Sequence, residues 1–123
     1  MSNKLKLKKE SLDLLDKSFN TKQNVVKISK NETFEHVLGK FLLSWELITS
    51  GEDIVTEAIF ANNSRADIFA LKEGAAYEVR KSETFKYSAE KEGKYPVKIR
   101  FFEADKVIAF WMKKLGYVKE KQK

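Results

Sequence analysis

The stretch Ala66–Glu83, ADIFALKEGAAYEVRKSE, decides how the rest of the chain is read. Ile68 to Leu71 is a short apolar run, Lys72-Glu73-Gly74 interrupts it, and Ala75 to Val79 resumes it with residues that suit a strand. The pattern predicts a hairpin. If its loop is Leu71–Gly74, then Ala70 faces Ala75, Asp67 faces Glu78 and Arg65 faces Arg80. Directly opposed side chains share one face of a sheet, with Cβ atoms roughly 5 Å apart. One hairpin would therefore hold two carboxylates side by side, with two guanidinium groups one step along. Adjacent carboxylates are costly unless something positive stands between them: a hard divalent metal, an arginine or a shared proton.

Upstream, Ile54–Phe60 reads as a strand containing Glu57, and Ala61-Asn62-Asn63-Ser64 as a turn. A four-residue loop there would set Ala58 beside Asp67, leaving Glu57 a secondary candidate. Before this strand, Phe34, Val37, Leu38, Phe41, Leu42, Trp45 and Ile48 recur at three and four, predicting an amphipathic helix over about 31–49. Ser29-Lys30-Asn31-Glu32 fits a capping box ahead of it, and Ser50-Gly51 ends it. The other side carries Glu35, His36, Lys40 and Glu46; Gly39, poor in a helix, implies a close neighbour. His36 reads as a solvated or hydrogen-bonding surface residue, with a catalytic or metal role as the alternative, and Trp45 and Trp111 as core.

Downstream, Ser82 can cap a short helix over 83–92, bounded by Gly93 and Pro96. Val97–Phe102 alternates as a fourth strand. A last helix follows from about Glu103, with Ala104, Val107, Ile108, Trp111 and Leu115 as its stripe and Gly116 at its end. Near the start, Leu12, Leu15 and Phe19 suggest a helix over 11–19, and Val25, Val26 and Ile28 a short extended piece.

With 123 residues the chain suits a single domain. It has no cysteine, which excludes disulfides and thiolate metal sites, and no apolar run of membrane-spanning length or signal-peptide type; a cytoplasmic protein is expected. The net charge of +6 is uneven: residues 1–31 carry +5 and 113–123 carry +4, leaving the middle at −3. Basic ends favour a phosphate backbone without reading its sequence, or simply aid solubility. The expected division is a basic N-terminal extension, 1–30, a folded domain, 31–116, and a basic tail, 117–123.

Asp67, a ten-residue gap and then Glu78-Val79-Arg80 resembles the signature of the PD-(D/E)XK nuclease superfamily, and the order of elements resembles its archaeal Holliday-junction-resolvase-like branch. Ala66 stands where the motif has proline and Arg80 where it has lysine. The resemblance spans about residues 32–115. It implies an α/β fold of restriction-endonuclease-like type, an αβββαβ core whose mixed central sheet is flanked by helices, with an added C-terminal helix. It implies Asp67 and Glu78 as ligands of Mg²⁺ or Mn²⁺, Glu35 as the acid from the first helix, and Arg80 as a phosphate clamp. Arginine stays protonated and cannot act as a base. Lys40 could supply a lysine from the helix, and Lys40, Arg65, Lys86, Lys91 and Lys94 are candidate DNA contacts; Tyr87 and Tyr95 either flank a DNA groove or form a polar rim. With the small size, the resemblance also implies a homodimer.

The function implied is a metal-dependent DNA endonuclease, with branched DNA as a candidate substrate, in recombination, repair or a mobile element. The alternative is a catalytically inactive nuclease-fold protein that binds nucleic acid or a protein partner, in which Asp67, Glu78, Arg65 and Arg80 neutralise one another.

Overall fold

A computed structural model describes residues 3–17, 22–80 and 95–116. Within them, three helices and four strands follow in the order α1 (Asn3–Asp13), α2 (Phe34–Thr49), β1 (Ile54–Ile59), β2 (Arg65–Ala70), β3 (Ala75–Arg80), β4 (Lys98–Glu103) and α3 (Ala104–Lys114). The strands make one mixed sheet in the order β1-β2-β3-β4, antiparallel across the first two pairs and parallel between β3 and β4. The α/β class and the mixed sheet agree with expectation. Residues 81–94, including the helix expected over 83–92, and the tail 117–123 lie outside the described residues. Among the described residues no helix is long and apolar enough to cross a membrane.

The β2–β3 hairpin has the register counted from the sequence. Ala70 pairs with Ala75, Phe69 with Ala76 and Ile68 with Tyr77. Gly74 makes the turn possible: its φ is 73°, a region that side chains disfavour, and its N–H donates to the Ala70 carbonyl at 2.8 Å. Beyond Ile68–Tyr77 the Asp67 carboxylate takes over the contact with β3, accepting from the Val79 N–H at 2.8 Å. The β1–β2 hairpin departs from the count. Ile59 pairs with Arg65, Ala58 with Ala66 and Thr56 with Ile68, so Glu57, not Ala58, is level with Asp67. Glu57 also has a left-handed backbone, φ 50°. That twist breaks the alternation of β1, and Val55 and Ala58, three residues apart, both pack on the same side of the sheet.

The sheet has a cluster of buried side chains on each face. On one, α2 and α3 cover Ile54, Ile68, Tyr77 and Val79 with Leu43, Ala104, Val107 and Trp111. Gly39 lets α2 settle close: a Cβ there would stand 3.0 Å from Val79 Cγ1 and 3.5 Å from the Ala104 Cα. The apolar stripe of α2 does not lie on the sheet as expected. Phe34, Phe41 and Trp45 are 73%, 48% and 48% exposed, while Gly39, Lys40, Leu43 and Ser44 are buried. Trp111 is core as expected, with Trp45 edge-on against it at 5.2 Å between centroids. Thr33, rather than Ser29, caps the helix, accepting from the His36 N–H.

The other face is covered by the N-terminal segment, which docks on the sheet through its first helix and Leu15 and runs along β1 at residues 24–27. The first helix runs over Asn3–Asp13 rather than 11–19, and Ser11 donates its hydroxyl hydrogen to the Leu71 carbonyl at 2.8 Å. Leu7 lies over Gly74, and Lys8 pairs with Asp53 at 2.8 Å. Leu15, 2% exposed, joins Phe60, Phe69 and Leu71 and forms a β-bridge with Phe60. Residues 24–27 then line β1: Asn24 donates its N–H to the Ile54 carbonyl, and Thr56 Oγ1 accepts from the Lys27 N–H.

Leu15→Ala should therefore lower stability by about 2–5 kcal/mol, the usual range for a fully buried leucine. Deletion of residues 1–17 should abolish the cooperative transition by uncovering Phe60, Phe69 and Leu71. Urea unfolding followed by circular dichroism measures both; an unchanged midpoint in either variant would show a dispensable arm.

Candidate functional site

Polar side chains gather where β2 leaves β3. Asp67 and Glu78 are hydrogen-bonded to each other through their carboxyls, with side chains 14% and 7% exposed. Asp67 Oδ2 accepts from the Val79 N–H and lies 3.2 Å from His36 Nε2. The other nitrogen of that ring, Nδ1, is 2.5 Å from Glu32 Oε2. Glu32 also binds Lys40, whose Nζ donates to Oε1 and Oε2 at 2.9 and 2.8 Å and to Glu57 Oε1 at 2.6 Å. On the far side of Glu78, the Tyr95 hydroxyl is 2.5 Å from both Glu78 Oε1 and the Arg65 carbonyl, with a single hydrogen to share between them. A continuous chain thus runs Glu57–Lys40–Glu32–His36–Asp67–Glu78–Tyr95.

Burial and contact set the charge of each member. Burial, and then the Asp67 carboxylate, push the Glu78 carboxyl up to about 8, so at neutral pH it holds a proton that it shares with Asp67. Burial acts on Asp67 in the same sense, but His36, Glu78 and the Val79 amide outweigh it and hold Asp67 below its ordinary value. His36 is raised to about 9, chiefly by Asp67 and, against its burial, by Glu32. Burial alone would lower Lys40; the hydrogen bonds it donates to Glu32 and Glu57 reverse that and keep it charged. Glu32, raised by burial, is carried below the usual carboxylate range by Lys40, the Ser29 amide and His36. The cluster is therefore two cations, three carboxylates and one protonated carboxyl, with Arg80 alongside.

Asp67 and Glu78 stand together, as expected. Arg80 follows Glu78 on β3, with Nη2 3.9 Å from Glu78 Oε1; its Nε and Nη2 are buried without a hydrogen-bond partner among the described residues. Arg65 is exposed, and the paired register ends before it could oppose Arg80. Glu35 is exposed on α2, at the rim of a cavity of about 340 Å³ lined also by Glu32, His36 and Arg80. The acid that reaches the cluster from this side is Glu32. Lys40, expected to face phosphate, is instead fully buried, because an ammonium inside the fold needs the two counter-charges that Glu32 and Glu57 supply. Lys86, Lys91, Lys94 and Tyr87 lie outside the described residues.

Sequence reasoning missed Glu32 and His36 as one unit with Lys40. A signal was present: Glu32, His36, Lys40 and Ser44 repeat at four, a polar stripe along one side of a helix otherwise rich in apolar residues. Among the described residues, no group of three or more histidine or acidic side chains is placed to ligate a metal.

The pH dependence of stability follows from these shifts. Glu78, near 8 against an ordinary 4.5, and His36, near 9 against 6.5, bind protons more tightly in the folded protein. Their contributions are complete below the ordinary values and are lost as pH rises to 8 and 9. Asp67 and Glu32 are lowered and lose theirs only in the acid range. Melting temperature should peak near pH 5 and fall towards pH 9, each proton adding a slope of up to about 1.4 kcal/mol per pH unit. Glu78→Gln should flatten the fall between pH 5 and 8. A wild-type melting temperature as high at pH 9 as at pH 5 would contradict the assigned protonation.

Compared with protein-family models, curated proteins and solved structures, the chain gives no match, so the functional reading rests on these residues.

Proposed function

We propose that this protein is a metal-dependent DNA endonuclease of the PD-(D/E)XK kind, with Asp67 and Glu78 as the pair that holds Mg²⁺ or Mn²⁺. The observation that carries this reading is the contact of two buried carboxyls beside a guanidinium whose Nε and Nη2 have no hydrogen-bond partner among the described residues. The donor chemistry fits: oxygen ligands suit hard divalent cations, and Mg²⁺ is commonly held by one or two carboxylates with water completing its shell. A cation there would take the place of the proton that Glu78 shares with Asp67. When bound, it supplies positive charge at the scissile phosphate and a water of lowered pKa.

The chain's own groups have distinct roles in this reading. Arg80, beside the carboxyl pair, is the group that would donate to phosphate oxygens and stabilise the charge that develops there. It cannot take a proton from water, and that task falls to no lysine on β3. His36 holds Asp67 from the side opposite Glu78 and keeps its carboxylate aimed. Lys40, shut in between Glu32 and Glu57, fixes Glu32 and through it His36, and meets no phosphate. The +5 charge of residues 1–31 supplies attraction to a DNA backbone without sequence preference. Branched DNA, met in recombination, repair or a mobile element, is the substrate class suggested by the resemblance.

One observation favours a second reading, a silent nuclease fold that binds nucleic acid or a protein partner. His36, Lys40 and the shared proton already offset the carboxylates without any cation.

The two readings separate on incubation with Mn²⁺ and single-stranded, duplex and four-way-junction DNA. A nuclease should cleave at least one of them. Asp67→Ala should abolish cleavage, and Arg80→Ala should slow it by about 10²–10³, as loss of a charge-stabilising donor does. No Mn²⁺ binding by calorimetry, with equal DNA binding by wild type and Asp67→Ala, would replace the nuclease with the binding protein.

A further inference from the structure

Tyr95 belongs to the hydrogen-bonded chain, yet the endonuclease reading gives it no task. It precedes Pro96, which restricts its backbone to extended conformations. Its ring lies edge-on to Phe60 at 6.1 Å between centroids, and Phe60 has no exposed surface. A tyrosine has only two side-chain torsions, so a ring fixed in this way delivers its hydroxyl to a defined point. That point is the gap where the β2–β3 ladder stops. Pairing of these strands ends at Ile68 and Tyr77, while Arg65 still pairs with Ile59 on β1. The Tyr95 hydroxyl spans the gap, 2.5 Å from the Arg65 carbonyl on β2 and 2.5 Å from Glu78 Oε1 on β3. It is turned towards the carboxyl pair and not towards an outer rim.

The two carboxyls are held unequally. Asp67 is fixed by His36 Nε2, by the Val79 amide and by Glu78. Glu78 has the longer and more flexible side chain, and its hydrogen-bond partners among the described residues are Asp67 and Tyr95. Arg80 Nη2, at 3.9 Å, is beyond hydrogen-bond reach of it. A cation between the carboxyls would take the place of the Asp67 contact, and Tyr95 would then be the group left to orient Glu78.

We infer that Tyr95 is a positioning residue for divalent-cation binding: its hydroxyl, anchored on the Arg65 backbone, aims the Glu78 carboxylate at the point it shares with Asp67. The inference rests on the reading of Asp67 and Glu78 as the pair that holds Mg²⁺ or Mn²⁺. The phenol acts through Glu78 and is not itself a ligand. Its anchor is a backbone carbonyl of a paired strand, so it transmits the fixed position of β2 to a side chain of β3. Partners that orient metal-binding side chains are worth about 10–100-fold in affinity, because they set the direction of the donor atoms before the ion arrives.

Calorimetric titration of the full chain with Mn²⁺, Mg²⁺ and Ca²⁺ tests this. Tyr95→Phe keeps the ring against Phe60 and removes only the hydroxyl. It should weaken Mn²⁺ binding by about 10–100-fold with an unchanged circular dichroism spectrum. The loss should be larger for Mg²⁺, which demands near-octahedral ligands, than for Ca²⁺, which accepts flexible geometry. Tyr77→Phe is the control. It removes a hydroxyl that donates to Glu73 Oε1 at 2.6 Å, away from the carboxyl pair, and should leave all three affinities unchanged. A wild type that binds Mn²⁺ beside a Tyr95→Phe protein that binds it equally well would overturn the positioning role alone. So would equal losses for Mg²⁺ and Ca²⁺, or equal losses in the two tyrosine variants. A Tyr95→Phe chain that fails to fold would make the hydroxyl a structural tie only and overturn it too. A wild type that binds none of the ions would overturn the metal reading, and this inference with it.

Discussion

The burial of one ammonium group constrains the whole assembly. Lys40 has no exposed surface, and its charge is met by Glu32 ahead of α2 and Glu57 on β1. A buried cation that loses a partner typically costs about 3–5 kcal/mol, because the remaining charge is left without compensation. The ion pairs therefore pin the first half of α2 to the sheet. The constraint propagates: Glu32 also holds His36, His36 holds Asp67, and Asp67 joins β2 to β3 through the Val79 amide. One line of charged hydrogen bonds ties a helix to three strands. Its members share partners, so their energies do not add as independent terms.

The orientation of α2 follows. A helix can turn only one face to a sheet, and here that face carries the polar residues His36, Lys40 and Ser44 beside Gly39 and Leu43. Gly39 permits the approach to Val79 and Ala104 that makes the ion pairs short. The larger apolar residues are left outside. The same rotation that encloses the carboxylate cluster thus leaves Phe34, Phe41 and Trp45 on the outer side.

The sheet is deformed where the cluster sits. Glu57 takes a left-handed backbone, a conformation that costs a residue with a side chain about 1–2 kcal/mol. It is level with Asp67, where the pairing of β2 with β3 gives way to a carboxylate–amide contact. Strain of this kind persists only where surrounding contacts over-determine it, and the Lys40–Glu57 pair is such a contact. Asp67 and Glu78 meet next to this point, with Arg80 beside them.

The sequence by itself determined the local units: the hairpin through Gly74 with its register, the neighbouring strands, the last helix, and the meeting of Asp67 with Glu78. These depend on turn chemistry, strand alternation and helix spacing, which act over a few residues. The tertiary structure decided which face of α2 is inner, that Glu32 and not Glu35 joins the cluster, that Lys40 is enclosed, and that the N-terminal segment closes the second core. It also decided the shift that brings Glu57 level with Asp67. Each of these turns on partners distant in the chain, Lys40 with Glu57, His36 with Asp67, Leu15 with Phe60. The physical reason is that a hydrophobic count registers how much apolar surface a helix has, whereas buried charge, which must find its counter-charge, dictates which way that helix turns.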